Sequence, residues 1–323
     1  MASWQARLAR RIIGLRVRPA LGDMRDLMRV RRVMGQALPP PKGAAYVRGV
    51  LGGVPGEWVE QAGAAPVDAS PRPTLMYVHG GGFVGCSPRT HRPITAAFAL
   101  QGFRVFAPDY RLAPEHPFPA PLAAVFAAWR ALRAKHDADS PGQRLVLAGE
   151  SAGGNLALAL MLSLRAAGER LPDAAALFSP ATDLGGGSAS IEGNGERDPM
   201  FHGPSLANLG NAYLGATGDA TDPLVSPIQA DPAGLPPLLI HVAAEEALRD
   251  DGLRFAQKAR AAGVPVEAVV WPVVPHAWQL LARVPEARRS IARASEFLKT
   301  AAPAAVEHLD TVIIGAGLSG IGA

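Results

Sequence analysis

The run Gly149-Glu150-Ser151-Ala152-Gly153-Gly154 constrains this chain more than any other segment. It matches G-x-S-x-G, a turn in which a serine joins the end of a strand to the start of a helix so sharply that its backbone is strained. Gly149, Ala152 and Gly153 carry little or no side chain where strand and helix must approach closely. The flanks agree: Arg144-Leu145-Val146-Leu147-Ala148 reads as a short buried strand, and Asn155 to Leu164 as an Ala/Leu-rich helix.

About seventy residues earlier stands His79-Gly80-Gly81-Gly82, directly after a strand-like run from Thr74 to Val78. Backbone N–H groups of such a glycine run can point at a developing oxyanion. Gly81 and Gly82 are the candidate donors here, and the N–H of Ala152 supplies a further one. A lone G-x-S-x-G in a chain with 35 glycines can arise by chance. Two parts of one machine in the expected order predict nucleophilic chemistry at Ser151, and the bland alternative of two packing turns is the weaker reading.

Two more segments, Asp109-Tyr110-Arg111-Leu112-Ala113-Pro114-Glu115-His116-Pro117-Phe118-Pro119-Ala120 and Asp222-Pro223-Leu224-Val225-Ser226-Pro227, complete a set. With them the chain resembles the hormone-sensitive-lipase-like esterases of the α/β-hydrolase superfamily, over roughly residues 45 to 300 and more weakly in the N-terminal arm. The resemblance implies an α/β-hydrolase fold, a mostly parallel central sheet with helices on both faces and a helical cap. It also implies that Asp109, Arg111 and Glu115 support the loop near the site through hydrogen bonds, and that Glu150 is a positioning or pocket-wall residue.

Patterning along the chain agrees. Strand-like runs at 75–78, 104–107, 144–148, 174–178, 238–243 and 266–271 alternate with helix-like runs at 91–100, 121–135, 154–167, 249–262 and 286–299. Two apolar segments around Val47–Val50 and Trp58–Val59 suggest antiparallel edge strands. The alternation lapses between about 184 and 222. The expected organisation is therefore an N-terminal cap arm (1–45), a catalytic domain (46–302) with a cap insertion (184–222), and a linker plus tail (303–323).

The superfamily order is Ser, then Asp or Glu, then His. Of the histidines after Ser151, His276 follows the final strand in a strand-to-helix loop, where catalytic residues of such sheets collect, and is the predicted general base. His241 reads as a strand histidine, His202 falls in the insertion and His308 lies beyond the last helix. For the acid, the resemblance aligns Leu248 and so places Glu246 at the position of the triad acid. Asp250 is the rival, with a helix-start carboxylate as its structural reading.

Composition narrows the partners. Residues 1–48 hold 11 Lys/Arg against 2 Asp/Glu, leaving 21 against 26 elsewhere. A basic arm on a mildly acidic body, without groove-reading features, argues against nucleic acid. In the arm Trp4, Leu8, Ile12 and Leu15 recur at helical spacing among arginines, an amphipathic helix. It reads as a cap helix packed over the pocket, as the resemblance implies, with weak contact to an anionic lipid surface as the alternative. The single cysteine, Cys86, reads as a packing residue and excludes an intramolecular disulfide. With no spanning segment and no apolar signal region at the start, the expected location is the cytoplasm.

The tail, Leu309 to Ala323, reads as a strand followed by G-x-G-x-x-G and resembles the start of a flavin-dependent, Baeyer–Villiger-type monooxygenase. The acidic group needed roughly twenty residues on is not in this sequence, so the fragment is not expected to hold a dinucleotide. By analogy it hints at a functional link to such an enzyme. The expected activity is a serine carboxylesterase acting on a small-molecule ester of short to medium acyl chain, or on lactones, with no metal or organic cofactor. A small-amide or acetyl hydrolase using the same residues is one alternative. A non-catalytic ligand receptor on the same fold is the other, although such receptors tend to lose a triad member.

Overall fold

The computed structural model describes residues 2–37, 39–65, 72–216 and 218–302. The strand and glycine motif read in the tail, and His308, lie outside the described residues.

Eight strands form one sheet in the order β1-β2-β4-β3-β5-β6-β7-β8. β1 (Ala44–Leu51) and β2 (Val54–Gln61) form the predicted antiparallel edge, and β2 runs antiparallel to β4 (Arg104–Pro108). From there β3 (Thr74–Val78), β5 (Leu145–Glu150), β6 (Ala175–Phe178), β7 (Leu238–Ala243) and β8 (Val266–Trp271) are parallel.

Two helical layers sandwich this sheet. Alternate strand residues such as Leu75, Tyr77, Val146 and Ala148 pack against α3 (Arg92–Leu100) and α9 (Pro285–Thr300) through Ile94, Phe98, Ile291 and Leu298. Met76, Val78, Leu145 and Leu147 face the other way, toward α4 (Ala120–Asp139), α5 (Ala152–Ala166) and α8 (Arg249–Ala261). A strand covered on both faces has no polar side to show, which is why the central strands read as continuous apolar runs.

The two segments expected to form the cap carry four helices of their own. α1 (Trp4–Leu21) and α2 (Leu27–Met34) open the chain, while α6 (Ala189–Gly193) and α7 (Leu206–Leu214) lie between β6 and β7. In α1 the structure departs from the sequence pattern. Trp4, Leu8, Ile12 and Leu15 are exposed, at 69, 47, 46 and 67%, and the helix instead buries Ala6, Ile13 and Leu21. Polar contacts tie the inward side of the helix to the rest of the chain. Arg18 donates to the carbonyls of Gly195 (2.8 Å) and Asp198 (2.9 Å), Arg10 pairs with Glu245, and Ser3 donates through N and Oγ to Glu286. Carbonyls fixed by the insertion offer partners that the longer apolar side chains do not find.

Candidate active site

Every predicted site residue lies at the carboxyl edge of the parallel strands. Ser151 follows β5 directly and caps α5 with φ 54° and ψ −121°, a conformation L-residues rarely adopt, held here by close packing on both sides. Its N–H donates to the Phe178 carbonyl at 2.8 Å. A Cβ at Gly153 would be driven into the carbonyls of Val78 and His79, so that glycine is what lets α5 start against β3.

Gly81 and Gly82 follow β3 with φ of 116° and 60°, and together with Ala152 they line the same cavity as Ser151 and His276. The N–H groups of Gly81, Gly82 and Ala152 donate to no protein acceptor among the described residues. Buried backbone donors are nearly always paired. Three left free beside one hydroxyl can receive a developing negative charge. The loop is fixed from behind: the ring of Tyr110 stacks on His79 with centroids 4.3 Å apart, and its hydroxyl donates to the His79 carbonyl at 2.8 Å. Burial lowers the His79 pKa to about 3 and keeps it neutral.

His276 sits in the loop after β8, and its Nδ1 donates to Glu246 Oε2 at 2.7 Å. The other oxygen of Glu246 accepts from Ser179 Oγ (2.8 Å) and from the Ala243 N–H (2.7 Å). This wholly buried carboxylate is thus fully partnered, and it orients the imidazole. Asp250 is elsewhere: its carboxylate takes the guanidinium of Arg249 at 2.7 Å in the first turn of α8. The remaining histidines after Ser151 among the described residues have other partners. His241 Nδ1 lies 2.9 Å from Ser290 Oγ, and His202 Nδ1 lies 3.2 Å from Ser205 Oγ.

Burial opposes charge on His276, but Glu150 and Glu246 outweigh it and raise its pKa. Phe201 closes one side, with its ring centroid 5.0 Å from that of His276. Over the site opens a cavity of about 660 Å³, walled by Val17, Leu21, Met34, Phe83, Met200 and Leu209 among others. Asp251 lies on its far wall, accepting from the N–H groups of Thr182 (2.7 Å) and Asp183 (2.9 Å), and burial pushes its pKa up to about 7.

The insertion between β6 and β7 is tied to the loop that carries Glu246. Asn194 Nδ2 donates to the Glu246 carbonyl at 3.0 Å, and Asp198 accepts the Ala247 N–H at 2.7 Å. Neither residue, nor Ser179, carries a signal in a single sequence.

A profile of the α/β hydrolase fold matches residues 75–280. An acetyl-hydrolase of Streptomyces hygroscopicus is 38% identical over 93% of this chain and 98% of its own length. Among solved structures, an esterase of the bacterial hormone-sensitive lipase family superimposes with a TM-score of 0.81 at 37% identity, covering 93% of this chain and 99% of that one. An esterase/lipase from an uncultured bacterium gives 0.83 at 32%, covering 92% and 98%. This chain belongs to the α/β hydrolases, among the hormone-sensitive-lipase-like esterases.

One family segment keeps its expected role in this esterase only at Glu115. Asp109 and Arg111 are exposed and make no side-chain hydrogen bond among the described residues, and Tyr110 between them holds the glycine loop instead. Glu115 reaches across to the cap, where Arg31 of α2 pairs with it (Nη1 to Oε1, 2.7 Å) and donates to the carbonyls of Val84 (2.6 Å) and Ala113 (2.7 Å). Asp109 and Arg111 sit on the exposed side of this loop, whereas the cation arriving from α2 gives Glu115 a partner.

Proposed function

We propose that this esterase is a serine carboxylester hydrolase for short- to medium-chain acyl esters and lactones, with Ser151, His276 and Glu246 as its catalytic triad. The observation that carries the reading is the strained Ser151 turn beside three free N–H donors, in the cavity that His276 lines on a fully partnered Glu246. Ser151 Oγ attacks the acyl carbon as its proton passes to Nε2 of His276. The carbonyl electron pair moves onto oxygen, facing the N–H groups of Gly81, Gly82 and Ala152. Collapse expels the alcohol, protonated by His276, and leaves an acyl-enzyme. Water activated by His276 then releases the acid, while Glu246 stabilises each transient imidazolium.

Residues 1–45 and about 184–222 act as the cap and 46–302 as the catalytic body in this proposal. The cavity volume falls within the range of small-molecule sites, about 300–1,000 Å³, and its apolar walls suit an acyl chain. A panel of p-nitrophenyl esters of graded chain length, beside lactones and anilides, tests the substrate class. Turnover peaking at short or medium esters supports it, and preference for the anilides shifts the assignment to the small-amide reading. That rival keeps support from the likeness to an acetyl-hydrolase. The retained serine and histidine weigh against a receptor. The same experiment includes a fluorophosphonate, whose mass must appear on Ser151.

A second reading concerns the arm. Its exposed stripe of Trp4, Leu8, Ile12 and Leu15 is accompanied by exposed Arg7, Arg11 and Arg16, none of which forms an ion pair among the described residues. An apolar ridge among free cations suits an anionic lipid surface. No described helix is long and apolar enough to cross a membrane, so such contact would be peripheral to a cytoplasmic enzyme. Co-sedimentation with phosphatidylglycerol vesicles, lost in high salt, supports this; no binding at low salt removes it.

A further inference from the structure

Glu150, the residue before the nucleophile, lines the cavity and does more than wall it. It is buried, and its two oxygens are shared between two histidines. Oε1 lies 3.2 Å from Nε2 of His276, and Oε2 lies 3.1 Å from Nε2 of His91, the residue that caps α3. Thr90 Oγ1 fixes the far side of His91, 2.9 Å from Nδ1. His276 therefore has a carboxylate on each ring nitrogen, Glu246 on Nδ1 and Glu150 on Nε2. No hydrogen bond joins Nε2 to Ser151 Oγ among the described residues.

The two glycine motifs interlock at this point. A Cβ on Gly80 would stand 2.8 Å from Cδ of Glu150 and 2.9 Å from its carbonyl oxygen. Of the glycines after His79, Gly80 thus makes room for the Glu150 carboxylate while Gly81 and Gly82 present N–H groups. A bulky neighbour is excluded so that a charge can stay.

We propose that Glu150 is a positioning residue that acts through His276: it holds Nε2 in the resting site, sets the pH at which the imidazole becomes free to act, and stabilises the imidazolium formed during acylation. This inference rests on the triad reading above. Above the pH at which the resting Nε2 proton leaves to water, acylation breaks the Ser151 O–H bond, its proton bonds to Nε2, and the serine oxygen bonds to the acyl carbon as the carbonyl electron pair moves onto oxygen. The new N–H then lies between the reacting oxygens and Glu150 Oε1, and it is given up to the departing alcohol. Glu150 neither donates nor takes a proton. Its fixed negative charge beside Nε2 lowers the free energy of the cation in the transition state.

The charged surroundings favour this role. Glu150 and Glu246 are the only carboxylates in contact with His276 among the described residues, and no Lys or Arg pairs with either. Around Glu150 stand His91 and His276, with His79, Tyr77, Tyr110 and Cys86 within electrostatic reach. Burial alone would push the Glu150 carboxyl up, yet the two histidines hold it below the ordinary range, so it stays ionised across the working pH.

The experiment compares the pH profiles of kcat and kcat/KM on p-nitrophenyl butyrate for the full chain, Glu150→Gln, Glu150→Asp and His91→Gln. Losing the charge lowers the His276 pKa, so the acid limb of Glu150→Gln moves to lower pH by at least one unit. Its plateau kcat falls about 10- to 100-fold, with KM within about threefold. Glu150→Asp, which keeps the charge but withdraws it from Nε2, gives an intermediate shift and serves if the glutamine variant does not fold. His91→Gln, which leaves the Glu150 charge in place, moves the acid limb by less than Glu150→Gln does. An unmoved acid limb in a folded Glu150 variant, or a change confined to KM, overturns the proposal. If Ser151→Ala keeps its turnover, the triad reading fails first. If Ser151→Ala is inactive and the acid limb does not move, the Glu150 inference fails alone.

Discussion

The sheet and the arm place their apolar residues in opposite ways. In β3, β5, β6 and β7 every residue is buried, whereas α1 buries Ala6, Ile13 and Leu21 but leaves Trp4, Leu8, Ile12 and Leu15 in solvent, and is tied down by Arg10, Arg18 and Ser3. Burial of the sheet is non-directional and cumulative, so it fixes the Ser151 turn rigidly. The outward part of α1 is held instead by a few directional contacts, each of which one substitution can remove. The difference separates cumulative packing around the Ser151 turn from single contacts along α1.

The widest separation between the two regions should show in activity. Ser151→Ala or His276→Ala is expected to lower kcat by about 10⁴-fold or more while the thermal midpoint stays near that of the parent, as read by initial rates and circular dichroism. Glu246→Gln should cost about 10²- to 10⁴-fold, because the imidazole loses its orienting charge. Asp250→Asn should stay within about threefold; the reverse ranking, in folded variants, would move the acid role to Asp250.

Stability sharpens the comparison further. Leu158→Ala in the core of α5 should cost about 2–5 kcal/mol in urea unfolding, since it leaves a cavity among fixed neighbours. Asp251 ties α8 to the segment after β6, and its effect depends on pH. Burial raises its carboxyl to about 7, while the unfolded chain releases that proton near the ordinary value of about 3.9. Between those values the native state binds more protons, so this group makes stability fall as pH rises through the window. Asp251→Asn keeps an acceptor for Thr182 and Asp183, and should flatten the decline between urea midpoints measured at pH 5 and pH 8. The smallest effect belongs to the exposed ridge. Leu15→Ser should change stability by no more than about 0.5 kcal/mol and leave turnover of soluble esters intact. A large loss there would mean the ridge is covered in solution.

Local rules made much of this protein legible. Gly149, Gly153 and the apolar runs around them specify a strand, a strained turn and a helix within a few residues, because the close approach of backbones there admits no side chain. Gly81 and Gly82 could be read as donors for the same reason, and the position of His276 after the last strand follows from chain order. Glu246 was reachable only through the alignment of Leu248.

Tertiary structure alone decided how these pieces meet. Ser179 on Glu246, Glu150 between two histidines, and Arg31 on Glu115 join residues 67, 126, 59 and 84 positions apart, and nothing in the spacing announces a partner. The orientation of α1 was hidden for a related reason. A helical pattern shows that one face is apolar, but which face turns inward depends on the carbonyls and carboxylates that the rest of the fold brings beside it. Period and backbone strain are local properties and can be read along a chain; the partner of a charged side chain is set by the surface it meets after folding.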